Sequence, residues 1–185
     1  SLLTCGAGSE IYSLFGHTAI RYEQPAKGID FVFNYGIFNF NAPNFVLRFT
    51  LGETDYLLGV SEYRHFVNSY QHMKRDVWEQ ELNLTQEEKL RLFAQLEENY
   101  RPENREYRYN FFFDNCATRP RDQIEKAITR QLVYTDEMNE KVETKSFRKM
   151  IHKYTENHPW SRFGIDLCLG SEADKPITRR EMMFV

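Results

Sequence analysis

Residues 109–122 read "YNFFFDNCATRPRD" and set one cysteine, Cys116, between an aromatic run and a segment of helical character. The preceding "REYRYNFFF" has the aromatic composition of a strand. "ATRPRDQIEKAIT" reads as a helix starting no earlier than Cys116, because Pro120 is comfortable only in a first turn. A strand running straight into a helix puts Cys116 at a helix N-terminus. Unpaired amides and the positive end of the helix dipole there favour thiolate over thiol.

Working outward, "SEIYSLFG" is expected to form a short helix ending at Gly16. "HTAIRYE" and "IDFVFNYG" alternate as strands around the turn "QPAKG", which makes a hairpin. "NAPNFVLRFTLG" has the ends of a short helix. "DYLLGVS" reads as a strand, "EYRHFVNSYQHM" as a helix, and "RDVWEQELNL" as a long strand with Trp78, Gln80, Leu82 and Leu84 on one face. In "TQEEKLRLFAQLEENY", Thr85 and Glu88 stand at capping-box spacing, with Leu90, Phe93, Leu96 and Glu97 marking one face and its edge. Glu87, Glu88, Glu97 and Glu98 then form a solvated face. "SFRKMIHKYTE" is a further helix before an irregular "NHPWSRFGIDLCLG", a wall near the site or a structural lid, in which Cys168 alternates with apolar neighbours as a core residue would. Strands and helices mix without regular alternation, so an α+β domain is expected.

The 185 residues suffice for one domain with its own core, and 41% hydrophobic and 15% aromatic residues describe a folded chain. A formal net charge of −3 and a pI near 6.0 leave no basic footprint for nucleic acid. No apolar run is long enough to span a membrane. The chain begins "SLLTCG" and ends "EMMFV", which reads as a fragment of a longer protein. Cys5, Cys116 and Cys168 supply neither a disulfide framework nor paired C-x-x-C spacing, so neither a metal nor another cofactor is expected.

A reactive thiol needs a base, and His17 is the candidate: it follows Gly16 at the start of a strand, a rigid place for a ring. His65, His72, His152 and His158 lie in charged, helical or Pro-flanked settings that suit ordinary surface roles. The paired strand offers Asn34 or Tyr35 to orient the imidazole, with Asn34 preferred and the choice left to register. Arg119 and Arg121 could hold a phosphate or carboxylate, or pair with Asp114 and Asp122; pairing is preferred. Cys5 is the rival nucleophile.

The segments "FGHTAIR", "FVFNYGIFNF", "PENREYRYNFFFDNCATRPRD" and "HPWSRFGIDLCLG" together resemble the extracytoplasmic, N-terminal domain of the lipoprotein N-acyltransferase Lnb family, over nearly the whole chain. That resemblance implies a circularly permuted papain-like fold, mainly antiparallel sheet, with the histidine strand ahead of the cysteine helix, as a single catalytic domain over 1–185. It implies a location in the periplasm or on the outer face of the cytoplasmic membrane, with membrane contact made through parts missing from this chain. It further implies a diacylated lipoprotein substrate, one of whose ester-linked acyl chains moves through a Cys116 thioester to the α-amine of the N-terminal cysteine, with the Cys116 amide and a donor such as the Asn115 side chain binding the oxyanion. Pro120 stands where the family pattern leads one to expect an apolar residue.

Two other functions fit the same residues. A cysteine amidase or peptidase acting on peptidoglycan peptides would use Cys116 and His17 with water as acceptor, in a polar open cleft. A non-catalytic binding module would leave Cys116 unreactive, its pKa raised by burial. An apolar trough leading to Cys116 would favour acyl transfer. The aromatic "FNYGIFNFNAPNF" is either core hairpin or acyl-chain groove, with core preferred.

Overall fold

The computed structural model describes residues 1–10, 13–38, 54–130, 132–133 and 145–184. The expected hairpin is β2 (His17–Gln24) against β3 (Ile29–Phe38), and it sits mid-sheet. β1 (Leu2–Cys5) and β5 (Val77–Gln80) extend the sheet on one side, β4 (Asp55–Glu62) and β6 (Glu106–Arg108) on the other. All six strands are antiparallel, in the order β5-β1-β2-β3-β4-β6. Five α-helices are present among the described residues: α1 (Tyr63–His72), α2 (Gln86–Tyr100), α3 (Thr118–Ala127), α4 (Phe147–Tyr154) and α5 (Pro159–Cys168). The protein is therefore α+β, as its sequence pattern predicts.

Period-two alternation splits the strands between two cores. Ile20, Phe33, Tyr35 and Leu58 pack on Leu92 and Leu96 of α2 and Ala127 of α3. Their neighbours Ala19 and Val32, with Leu3 and Cys5, pack on Phe66 and Tyr70 of α1. A third cluster joins Phe147 and Ile151 of α4 to Ala173 and Phe184 near the C-terminus.

Several elements differ from their sequence expectation. Thr85 and Glu88 do form a capping box, but Glu88 is buried rather than solvated. Its carboxylate accepts from the backbone N–H and hydroxyl of Thr129 as well as the N–H of Thr85, and these bonds hold its pKa down at about 2. α2 turns Leu92 and Leu96 inward and leaves Leu90 exposed. The long strand shortens to Val77–Gln80, since Leu84 N–H turns back to the Leu82 carbonyl. The "FFF" run is a turn: Asn110 Oδ1 accepts from the N–H groups of Phe112 and Phe113, a local bond that competes with strand pairing. "NHPWSRFGIDLCLG" is mostly the helix α5, started by Pro159 at its N-terminus, and Cys168 on it is exposed rather than core. The short helix expected before Gly16 lies partly, and the one expected in "NAPNFVLRFTLG" wholly, outside the described residues.

Candidate active site

β1 and β2 pair with Cys5 directly opposite His17. Further along, the β2–β3 ladder stops at Ile20 and Phe33, and β3 carries a register shift between Tyr35 and Ile37. Gly36 lies inside that irregularity with φ +112, a conformation L side chains rarely adopt. A Cβ built on it would come within 3.1 Å of Cys116 Cβ and 3.4 Å of His17 Cε1. Nucleophile and base candidates 99 residues apart in sequence thus converge on one glycine, which mid-strand marks close approach.

Asn34 Oδ1 lies 2.6 Å from His17 Nε2. A carbonyl oxygen only accepts, so Nε2 carries the proton and Nδ1 keeps the lone pair, on the ring edge that approaches Gly36, the residue Cys116 also approaches. Tyr35, the alternative orienter, points to the other face of the sheet: it is fully buried in the α2/α3 core.

Cys116 precedes α3, whose N-cap is Ala117, and Pro120 falls in the first turn as expected. Asn115 organises this junction. Its Oδ1 accepts from the N–H groups of Ala117 and Thr118 at 2.8 and 2.9 Å, and the Thr118 hydroxyl accepts from Asn115 N–H. Its Nδ2 gives its hydrogens to the carbonyls of Phe111 and Phe184. Asn115 therefore has no donor left for an oxyanion, which departs from the sequence expectation. It also takes the first α3 amides that would otherwise favour a thiolate. Arg119 pairs with Asp114 through two hydrogen bonds and lies 3.6 Å over the Tyr107 ring, and Arg121 pairs with Asp122. Both arginines are engaged by the acids next to the motif.

Burial pushes the Cys116 thiol up to about 11, opposed by the N–H groups of Thr18 and of Cys116 itself and by the charge of Arg75. Burial takes His17 down to about 4; the Asn34 bond opposes that shift and Arg75 adds to it. The resting pair is accordingly neutral thiol and neutral imidazole at pH 7, where the sequence alone predicts a thiolate. Cys5, the rival, is also raised to about 11, chiefly by burial, with a hydrogen bond to Tyr70 opposing. Thr18, Gly36 and Arg75 escaped the sequence analysis. Arg75 donates from Nε to the Gly6 carbonyl, 2.8 Å away, and lies over the Tyr70 ring. Only the glycine in "FNYG" carried a signal, as a strand interruption.

A groove of about 870 Å³ is lined by His17, Thr18 and Ala117 and by Cys5, the rival nucleophile; Cys116 lies one residue behind its wall at Ala117. Its walls are mostly apolar, with Phe15, Trp78, Leu82, Ile124, Met182 and Met183 among them. Its volume suits a small-molecule or acyl-chain ligand. A cavity of about 730 Å³ between α2 and α3 holds neither Cys116 nor His17 and is lined largely by polar and charged side chains. Among the described residues no cluster of His, Cys, Asp and Glu could hold a metal ion.

A family model for the Lnb N-terminal periplasmic domain matches residues 1–153. The chain belongs to that family. No curated protein and no solved structure matches it. The Lnb domain is described as periplasmic, and no described helix of this chain is long and apolar enough to cross a membrane. Membership places the chain in the context of lipoprotein N-acyl transfer. α5 and the C-terminal turn lie beyond the matched residues, yet the Phe184 carbonyl in that turn holds Asn115.

Proposed function

We propose that the domain is a cysteine-dependent acyltransferase that moves an ester-linked acyl chain of a diacylglyceryl lipoprotein to the α-amine of its N-terminal cysteine. The observation that carries this function is the apolar groove lined by His17 and by Ala117, the residue that follows Cys116. A peptidase acting on polar stem peptides would want a polar cleft there. In the same proposal the fold is a circularly permuted papain-like one, with the histidine strand ahead of the cysteine helix.

The neutral pair sets the order of proton movements. Cys116 Sγ attacks the ester carbonyl as its proton passes to His17 Nδ1, and Asn34 holds the ring and accepts from Nε2. The Thr18 and Cys116 amides, which already face the sulfur, are the donors nearest the developing oxyanion. His17 returns the proton to the departing glyceryl oxygen, leaving a thioester on Cys116. A neutral α-amine then attacks the thioester, His17 takes its proton, and the sulfur leaves with that proton to restore the thiol.

A silent binding module would also show a raised thiol pKa. It would have no use for an imidazole with a free lone pair beside that thiol. The deciding experiment incubates the protein with a diacylated lipopeptide and follows masses of enzyme and product. Acyl transfer predicts a hydroxylamine-sensitive adduct on Cys116 and a lyso product bearing an N-acyl group, both lost in Cys116→Ala. No adduct and an unchanged lipopeptide would sink the proposal, and release of free fatty acid alone would make water the acceptor.

A further inference from the structure

α5 is built inside out. Its charged side chains, Arg162 and Asp166, both turn to α4: Arg162 Nη2 lies 2.7 Å from His152 Nδ1, and Asp166 accepts from His152 Nε2 at 2.9 Å and from Arg148 at 2.8 Å. Ile165 and the adjoining Leu169 pack on the third core cluster. The opposite side carries Trp160, Phe163 and Leu167, which are 86%, 59% and 71% exposed. Spacings of three and four residues put these three on one helical face. Helices facing water show the reverse arrangement, with charge outward.

We infer that α5 rests this face on a lipid bilayer, with Lys149 and Lys153 of α4 near the anionic headgroups. Three observations select a bilayer over a protein partner. Phe147–Cys168 carries Arg148, Lys149, Lys153 and Arg162 against only Glu156 and Asp166, in a chain whose formal net charge is −3. Lys149 and Lys153 are exposed and make no ion pair among the described residues. Trp, Phe and Leu beside a basic surface is the composition of interfacial helices, which bury their apolar side at the headgroup boundary. Tyr154, which ends α4 shortly before α5 begins, also lines the acyl-sized groove, so docking here would set the groove near the lipid. Only this last point rests on the acyl-transfer reading.

The test is vesicle flotation of the 185-residue chain with phosphatidylethanolamine/phosphatidylglycerol vesicles, together with Trp160 fluorescence in a Trp78→Phe background. Binding with a blue-shifted Trp160 is expected. Trp160→Ser/Phe163→Ser/Leu167→Ser should lower partitioning about tenfold or more. Lys149→Glu/Lys153→Glu should weaken binding to these vesicles at low salt but not to phosphatidylcholine. Unchanged circular dichroism guards against misfolding of the triple variant, and Trp160→Ser alone should show part of the loss. The inference is overturned if the wild type stays unbound, if the triple variant binds equally well, or if the wild type is a lipid-free dimer that the triple variant dissolves. Cys116→Ala should bind vesicles like the wild type. Failed acyl transfer with intact vesicle binding would therefore indict the function, and transfer in detergent without vesicle binding would indict the docking face.

Discussion

Gly36 and Cys116 are in contact: a methyl group on the glycine would stand 3.1 Å from the cysteine Cβ. Gly36→Ala should thus displace Cys116 while also straining a φ of +112, at a cost of about 1–3 kcal/mol. Misplacing a nucleophile by about 1 Å costs on the order of 10²-fold in rate. The 3.1 Å contact asks Cys116 to give by only a few tenths of an ångström, so acyl-transfer kinetics should fall by a smaller factor than that while far-UV circular dichroism stays native. Full activity in this variant would remove Cys116 and His17 from the same site.

Asn34 should act through the His17 ring. Asn34→Ala should reduce kcat roughly 10–100-fold with KM little changed. Asn34→Asp places a carboxylate at Nε2, which favours the imidazolium and should move the acid limb of the kcat/KM profile upward from about pH 4. A limb that stays in place in Asn34→Asp would show that the limb belongs to another group.

Stability should be greatest between the unfolded pKa values of histidine and cysteine. His17 has its pKa lowered from 6.5 to about 4, so the unfolded chain binds more protons in that interval and stability falls as pH drops through it. The loss from this group is on the order of 2–3 kcal/mol. Cys5 and Cys116 are raised from 9.0 to about 11, so their contributions are lost as pH rises through that range. Urea denaturation against pH should trace this plateau, and His17→Gln should flatten its acid side.

Arg75 should tune both reacting groups. Its charge favours a Cys116 thiolate and disfavours a His17 imidazolium. Arg75→Met should raise both pKa values, seen as slower iodoacetamide alkylation of Cys116 at fixed pH and an acid limb at higher pH. Equal alkylation profiles in the two proteins would make Arg75 purely structural.

Glu88 should matter to folding alone. Glu88→Gln weakens the capping box and the bonds to Thr129, so it should lower Tm, and the stability difference from wild type should shrink as pH falls from about 4.5 towards 2. Cys116 alkylation should be unchanged.

The sequence made the site's membership legible and its electrostatics much less so. His17 and Cys116 could be picked out because each sits beside local punctuation, a Gly–His step and an expected strand-to-helix junction, although the strand side of that junction is a turn. Asn34 could be preferred but not chosen over Tyr35, since a one-residue change of register exchanges the faces. The thiol's protonation could not be read, because it depends on burial and on Asn115 occupying the helix amides. Glu88 and α5 were misread for a shared reason: a partner distant in sequence, Thr129 or the α4 network, reverses which way a polar side chain turns.

The early end of the β2–β3 ladder gives the Thr18 amide a sulfur to face. A carbonyl partner would stay the same throughout turnover, but in the proposed reaction this acceptor would pass from thiol to thioester and back. On the proposed mechanism the Thr18 amide would thus be a built-in gauge of the covalent state of Cys116. Its proton chemical shift and hydrogen-exchange rate should change when Cys116 is acylated, while those of Val32 and Phe33 deeper in the sheet should not.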